Sequence, residues 1–432
     1  MRTLRSFRVD NIDRFKESLL QWAQQFTEVV YLDSNHHQDT YTSFEALLAV
    51  DALTELSTSS SYSAFDEFTA YKKRTNDWVF GYLAYDLKNE LHQLRSDNHD
   101  GLDFPLLHFF QPKRMIRILG NEVQFSYISE SESEMKNDFE AICNTQILDN
   151  GPIAEKPKIK LRIHKDAYLD KINQVLDQIH RGNIYEVNIC QEFYAENHEI
   201  EPLATFLNLN EISTPPFASF LKLRDKYLLS ASPERYIKRQ GATVTSQPIK
   251  GTAPRAIVPE EDELHKRRLK IDAKERSENI MIVDLVRNDL SHHALKGSVT
   301  VDELCEVYTF KQVHQMISTI SARVPSGIDA LELIKATFPM GSMTGAPKIS
   351  AMKIIEQIEE TKRGLYSGAV GYFTPDDDFD FNVVIRSILY NANQQYISFT
   401  VGSAITAKSI PLKEYEECLL KAKAMRNALE SH

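Results

Sequence analysis

Three runs rich in β-branched and aromatic residues, YSGAVGYFT from Tyr366, FNVVIRSILY from Phe381 and YISFTVGSAIT from Tyr396, follow one another with only five or six residues between them. A parallel neighbour needs a crossover of about a dozen residues or more, so joints this short require antiparallel pairing. The stretch KYLLSASPERYIKRQGATVTSQPI at 226–249 repeats the pattern, and IYEVNICQEFYA reads as a further strand. Helical spacing separates these runs. Tyr168, Ile172, Val175 and Ile179 form one apolar stripe, 259–290 reads as a single long helix, and a last helix starts at about Pro411. Antiparallel strand pairs alternating with helices predict an α+β fold.

ISESESEMKND is polar and acidic, and the Gly/Pro/Lys-rich GPIAEKPKIK at 151–160 reads as a connector. It divides an N-terminal region, 1–150, from a larger region at 165–428. Of 432 residues, 61 are acidic and 50 basic, for a net charge of −11. With both signs interspersed, there is no concentrated basic face for nucleic acid, although a small anion needs only two or three cations. The start, MRTLRSFRVDNIDRF, lacks the apolar core of a signal peptide, and no run reaches the ~20 apolar residues of a membrane span. Cys143, Cys190, Cys305 and Cys418 form no CxxC pair, which predicts structural thiols in a reducing cytoplasm.

Several polar groups interrupt apolar patterns. In the 259–290 helix, Ile271, Glu275, Glu278, Ile282 and Leu285 share one stripe, which places two carboxylates on an apolar face. Glu414 and Glu417 stand one turn apart near the C-terminus, with Lys421 a turn further; alone, that trio reads as a solvated face. Should both pairs meet in one cleft, carboxylates ~4 Å apart repel by about 4 kcal/mol at an effective dielectric of ~20. The cluster then calls for a hard divalent ion, and oxygen ligands favour magnesium over zinc. Arg386 shares a predicted strand face with Val384 and Ile388, where it must either reach solvent or meet a carboxylate, structural or from a substrate. Pro347 suits a helix start in ATFPMGSMTGAPK, and helix N-termini attract anions. His314 by itself reads as a packed histidine, and Lys250 in SQPIKGTAPR as a loop lysine.

Taken together, GNIYEVN, SASPERY, PIKGTAPR, KERSEN…VDLVRNDL, FPMGSMTGAPK, RGLYSGAVGYF, IRS and EYEECLLKA stand in the order of the chorismate-utilising enzymes. Within these the chain resembles component I of the aminodeoxychorismate synthases, densely over 165–425 and more loosely in 1–150. The resemblance implies two packed antiparallel sheets flanked by helices, with the active site between them. It implies a magnesium environment of Glu275, Glu278, Glu414 and Glu417. Tyr366 and Arg386 would hold the enolpyruvyl carboxylate and Lys421 would assist at the ring carboxylate, with His314 near the ring. Gly251, Thr252, Ser342 and Gly402 are the other implied substrate contacts.

The same resemblance implies that Lys250 attacks C2 of chorismate while Glu234 protonates the departing C4 hydroxyl. Ammonia from a glutamine amidotransferase subunit then enters at C4, giving 4-amino-4-deoxychorismate for folate synthesis. A free lysine is mostly charged at pH 7, so burial is expected to lower the Lys250 pKa. Anthranilate synthases carry alanine there, so Lys250 favours the aminodeoxychorismate synthases; anthranilate synthase component I stays as the alternative and a non-catalytic regulatory subunit as another. The family glutamine of GxxYQVN is Glu186 here. A water-activating lysine occupies that place in isochorismate and salicylate synthases, so Glu186 argues against both. Ala404 replaces the second glycine of a G-x-G-I motif, and Lys408 a common aspartate.

Overall fold

The protein is described here by a computed structural model covering residues 2–37, 40–128, 134–146 and 156–430. Residues 129–133 of the acidic stretch and 151–155 of the connector lie outside the described residues.

Every ladder between the strands is antiparallel, and the strands form one hydrogen-bonded network with two wings. The wings join at two long strands, Ala46–Thr58 and Leu107–Leu119, which pair with each other through a bulge near Ala52. From this joint one wing runs through Glu28–Asp33, Phe217–Leu223, Lys226–Ser232, Ser387–Asn391 and Tyr396–Thr406 to Glu186–Ala195. The other runs through Val79–Leu83, Ala369–Phe373, Phe379–Val383, Arg235–Gln240 and Thr243–Gln247 to Val313–Arg323. N-terminal strands are thus paired directly with strands from the second half of the chain.

Period-two alternation explains how single strands serve two cores. Along Glu28–Asp33, Val30 and Leu32 enter one core with Phe80, Phe109, Phe373 and Phe381. Val29 and Tyr31 enter another, against helix residues such as Leu19, Phe206 and Met425. The predicted helix stripe is present: Lys165–His180 buries Tyr168, Ile172, Val175 and Ile179. Pro411–Glu430 closes the chain as a helix, and no described helix is long and apolar enough to cross a membrane.

Two expectations are corrected. The 259–290 helix is two helices, Pro259–Ile271 and Ala273–Ser291, parted at Asp272. The Asp272 carboxylate accepts from the Lys274 and Glu275 N–H groups as an N-cap, a local bond that outcompetes helix continuation. Ile271 consequently falls off the buried stripe and is 77% exposed. The run FNVVIRSILY is likewise two strands, ending at Val383 and restarting at Ser387. Phe379–Val383 belongs to one wing and Ser387–Asn391 to the other, so Arg386 does not share a strand face with Val384 and Ile388.

Candidate active site

The chain crosses between the wings at two neighbouring corners, Pro233-Glu234 and 384–386. They are tied together by backbone bonds, Ala231 N–H to the Arg386 carbonyl at 3.1 Å and Val383 N–H to the Glu234 carbonyl at 3.0 Å. At such corners the side-chain alternation lapses, which frees both residues to point into the cleft beside them. Arg386 holds a left-handed φ of +52°. Among the described residues no carboxylate forms an ion pair with its guanidinium, and burial lowers its pKa against the opposing fields of Tyr366 and Glu417. Glu234 is buried, and desolvation pushes its pKa up to about 7, opposed by the Ser342 hydroxyl, the Lys250 charge and the Ile249 backbone.

Lys250 lies in the strand Ile249–Pro254 rather than in a turn. Ile249 and Thr252 oppose Ile317 and Gln315, so one extra residue bulges from the ladder at Lys250-Gly251. Gly251 takes φ +93°, and a Cβ there would come within 3.2 Å of Glu275 and Met316. Only glycine suits both the conformation and the space. The bulge directs the ammonium to Glu186 Oε1 at 2.8 Å. Burial is the largest influence and works to discharge this lysine, but the Glu186 carboxylate, joined by the fields of Glu278 and Glu234, outweighs it and the pKa is raised. The expectation of a lowered Lys250 pKa is therefore corrected: the contacting Glu186 carboxylate and the nearby glutamates together stabilise the ammonium more than desolvation penalises it.

The same cleft is lined by Glu275, Glu278, Glu417, Lys274, Lys421, Thr252, Ser342, Tyr366 and Gly402. Asn279 fixes the helix that carries the first two glutamates, donating to the Met316 carbonyl at 3.2 Å and the Lys250 carbonyl at 3.4 Å. Burial raises the pKa of Glu275 and pushes that of Glu278 up to about 7. For Glu417 burial is outweighed by Lys421, whose Nζ stands 2.5 Å away, and the pKa is lowered. Lys421 also donates to the Gly402 carbonyl at 2.9 Å. Glu414 sits just behind the cleft lining and accepts from the Ser403 hydroxyl. A Cβ at Gly402 would lie 2.7 Å from Asn188 Oδ1, which accounts for the glycine.

Among the described residues no three carboxylates, imidazoles or thiolates converge as a closed metal cage. The Lys274 ammonium instead stands 3.7 Å from Glu278 and 3.6 Å from Glu414. The sequence reading missed this lysine, although its i,i+4 spacing to Glu278 is legible.

His314 is placed elsewhere. It faces the helix side of the Val313–Arg323 strand, with Nδ1 3.0 Å from the Thr309 hydroxyl and Nε2 2.9 Å from Asp262. Alternation sends Val313 and Gln315 into the cleft instead. Gln315 is buried, and among the described residues its Oε1 has no hydrogen-bond partner. The Lys348–Ile358 helix start also lies outside the lining; Ser342 comes from the preceding turn, Gly341–Met343. That turn and the Glu186 strand are held by Arg363, which donates to the Met343 carbonyl at 2.6 Å and the Asn188 carbonyl at 2.8 Å.

A second cavity, beside Leu32, Phe44 and Phe217, is more apolar, and its acidic groups are already engaged. Asp33 pairs with Lys16 at 3.1 Å and Asp380 with Arg235 at 3.0 Å.

Compared with protein families, residues 24–427 match the model described as chorismate binding enzyme. The chain belongs to this family. Among curated relatives of this chorismate-binding chain, aminodeoxychorismate synthase component 1 of Salmonella typhimurium is 40% identical over 61% of the chain and 58% of the relative. The corresponding Escherichia coli protein is 39% identical over 62% of the chain and 58% of its own length. The matched stretch therefore spans about three fifths of these relatives. An anthranilate synthase component I-like protein of Synechocystis is 32% identical over 82% of the chain and 72% of its length. Among solved structures, anthranilate synthase component I from Streptococcus pneumoniae superposes with a TM-score of 0.76 at 24% identity, covering 90% of this chain and 94% of that one. The likeness in fold agrees with the two-winged antiparallel architecture.

Proposed function

We propose that this chorismate-binding enzyme aminates chorismate at C4 to give 4-amino-4-deoxychorismate, as component I of a two-subunit synthase supplying 4-aminobenzoate for folate. The observation that carries this reading is Lys250, bulged into the cleft beside Glu234, a buried carboxyl that holds a proton near neutrality. An amine and an acid in one cleft suit displacement of a hydroxyl. The enolpyruvyl carboxylate fits the unpaired Arg386 guanidinium, with the Tyr366 hydroxyl alongside. Lys250 attacks C2, the ring double bond shifts, and the C4 hydroxyl leaves as water with the Glu234 proton. Ammonia then bonds to C4 and releases the lysine.

The test is chorismate with magnesium and an ammonium salt, products separated by mass. Aminodeoxychorismate is the expected product. Anthranilate would favour the Synechocystis-like alternative instead, and unchanged chorismate a binding-only subunit.

The donor chemistry of Glu275, Glu278, Glu414 and Glu417 suits magnesium: all are oxygen ligands, and burial raises the pKa of Glu275 and Glu278, a cost that a hard cation would offset. When bound, the ion would supply positive charge to offset these carboxylates and that of an anionic substrate. Glu278→Gln is expected to raise at least tenfold the magnesium concentration giving half-maximal activity, and KM for chorismate with it. Full activity of this variant in excess chelator would refute the assignment.

The ammonia is expected to come from a glutamine amidotransferase subunit. Burial raises the pKa of all four thiols, Cys143 and Cys305 as well as Cys190 (up to about 12) and Cys418 (up to about 11), so among the described residues none offers the ready thiolate a glutaminase needs. The buried free thiols also suit a cytoplasmic enzyme. Purified protein is expected to turn over with ammonium but not with glutamine; substantial glutamine-driven turnover would overturn the two-subunit reading.

A further inference from the structure

A lysine that attacks carbon must first lose a proton, and Lys250 rests as an ammonium. Its one ion-pair partner among the described residues is Glu186 Oε1, at 2.8 Å. Glu186 is 1% exposed, and its Oε2 has no hydrogen-bond partner among the described residues. The other charges that act on Lys250 come from Glu278 on the Ala273–Ser291 helix, Glu417 on the C-terminal helix and Glu234 at the corner; none forms an ion pair with it. Glu186 is held in place by a double ladder, its strand pairing with Tyr396–Thr406 on one side and Gly345-Ala346 on the other.

From this geometry we infer that Glu186 is the base that takes the proton from Lys250 when chorismate fills the cleft and returns it when the lysine is released. This rests on the proposed covalent role of Lys250. Water leaves the cleft on substrate binding, and a buried pair loses less by becoming neutral than by staying charged as the dielectric falls. The ammonium passes one proton to Oε1, leaving an amine and a carboxylic acid. The amine lone pair forms the N–C2 bond while the C4–O bond breaks, and the hydroxyl leaves as water with the Glu234 proton. Ammonia attacks C4, the N–C2 bond breaks, and the freed amine recovers its proton from Glu186. The aminated product gives up its extra proton to recharge Glu234. A glutamine at this position leaves the lysine proton to be lost to water.

The experiment is Glu186→Gln, assayed with ammonium across pH 6–9, with Lys250→Ala beside it. The expected result is a fall in kcat of at least tenfold at pH 7 with KM for chorismate within about twofold of wild type. A new limb should also appear on the acid side of the kcat profile, rising with pH, because Lys250 must now discharge to solvent. Unchanged kcat and profile, or a faster variant whose profile moves to lower pH, would overturn the role. If Glu186→Gln folds poorly by its melting temperature, Glu186→Ala is assayed with added formate; recovery of kcat supports a base and no recovery refutes it. Lys250→Ala separates the two claims. If it stays active, the covalent reading itself fails; if it is dead while Glu186→Gln is normal, only the base assignment fails.

Discussion

Lys250→Ala is expected to abolish amination while leaving chorismate bound. Removal of a nucleophile acts on kcat, here by on the order of 10³-fold or more, and KM should move little because Arg386 and Lys421 still supply positive charge. The ion pair adds a second consequence. With Lys250 gone, Glu186 is a buried anion without its cation, and breaking such a pair costs about 3–5 kcal/mol unless the carboxyl takes up a proton. The variant should therefore melt lower. Lys250→Ala combined with Glu186→Gln should recover the melting temperature without recovering turnover. Aminodeoxychorismate formed at the wild-type rate by the single variant would reduce Lys250 to an electrostatic contact.

Glu234→Gln is the second large expected effect. It removes the proton donor for the departing hydroxyl, and loss of a general acid lowers kcat by roughly 10²–10⁴-fold. The pH dependence of the wild type carries the same information. Desolvation raises the Glu234 pKa to about 7, so the acid is protonated below that value and ionised above it. Activity limited by this proton should fall as pH rises through about 7, and Glu234→Gln should lose that limb altogether. A wild-type profile that instead climbs steadily from pH 6 to 9 would remove Glu234 from the role.

Fold class was legible because it rests on spacing. Short joints between strand runs leave antiparallel pairing as the only solution, and the stripe at Tyr168, Ile172, Val175 and Ile179 is local. What escaped depends on competition between local and distant bonds. Asp272 ends one helix with its own side chain, an outcome an apolar stripe does not encode. The break at 384–386 reflects which neighbours each half of FNVVIRSILY finds, and one neighbour of each half is over a hundred residues away. Within the site, Glu275, Glu278, Glu417, Lys250, Glu234, Tyr366 and Arg386 do line one cleft. His314 does not, because a shift of one residue along a strand reverses the face. The raised pKa of Lys250 was hidden for another reason: burial was foreseen, whereas contact with Glu186, 64 positions upstream, is a property of the folded ladder alone.

The corner at 384–386 makes chain length there as binding a requirement as residue identity. Ser387–Asn391 is held in register on both sides, with Leu229 opposite Ile388 and Ser398 opposite Leu389. Ile388 and Tyr390 face one core and Leu389 the other. Adding or deleting a single residue in the corner would leave the strand two poor choices. It could slip by one and turn Ile388 and Tyr390 into the wrong core, or hold its register and force the whole change into the Arg386 backbone, already left-handed at +52°. Insertions should therefore be tolerated in the 374–378 hairpin a few residues upstream but not here, and a scan of single-residue insertions across 374–390 should show that boundary as an abrupt loss of folded protein.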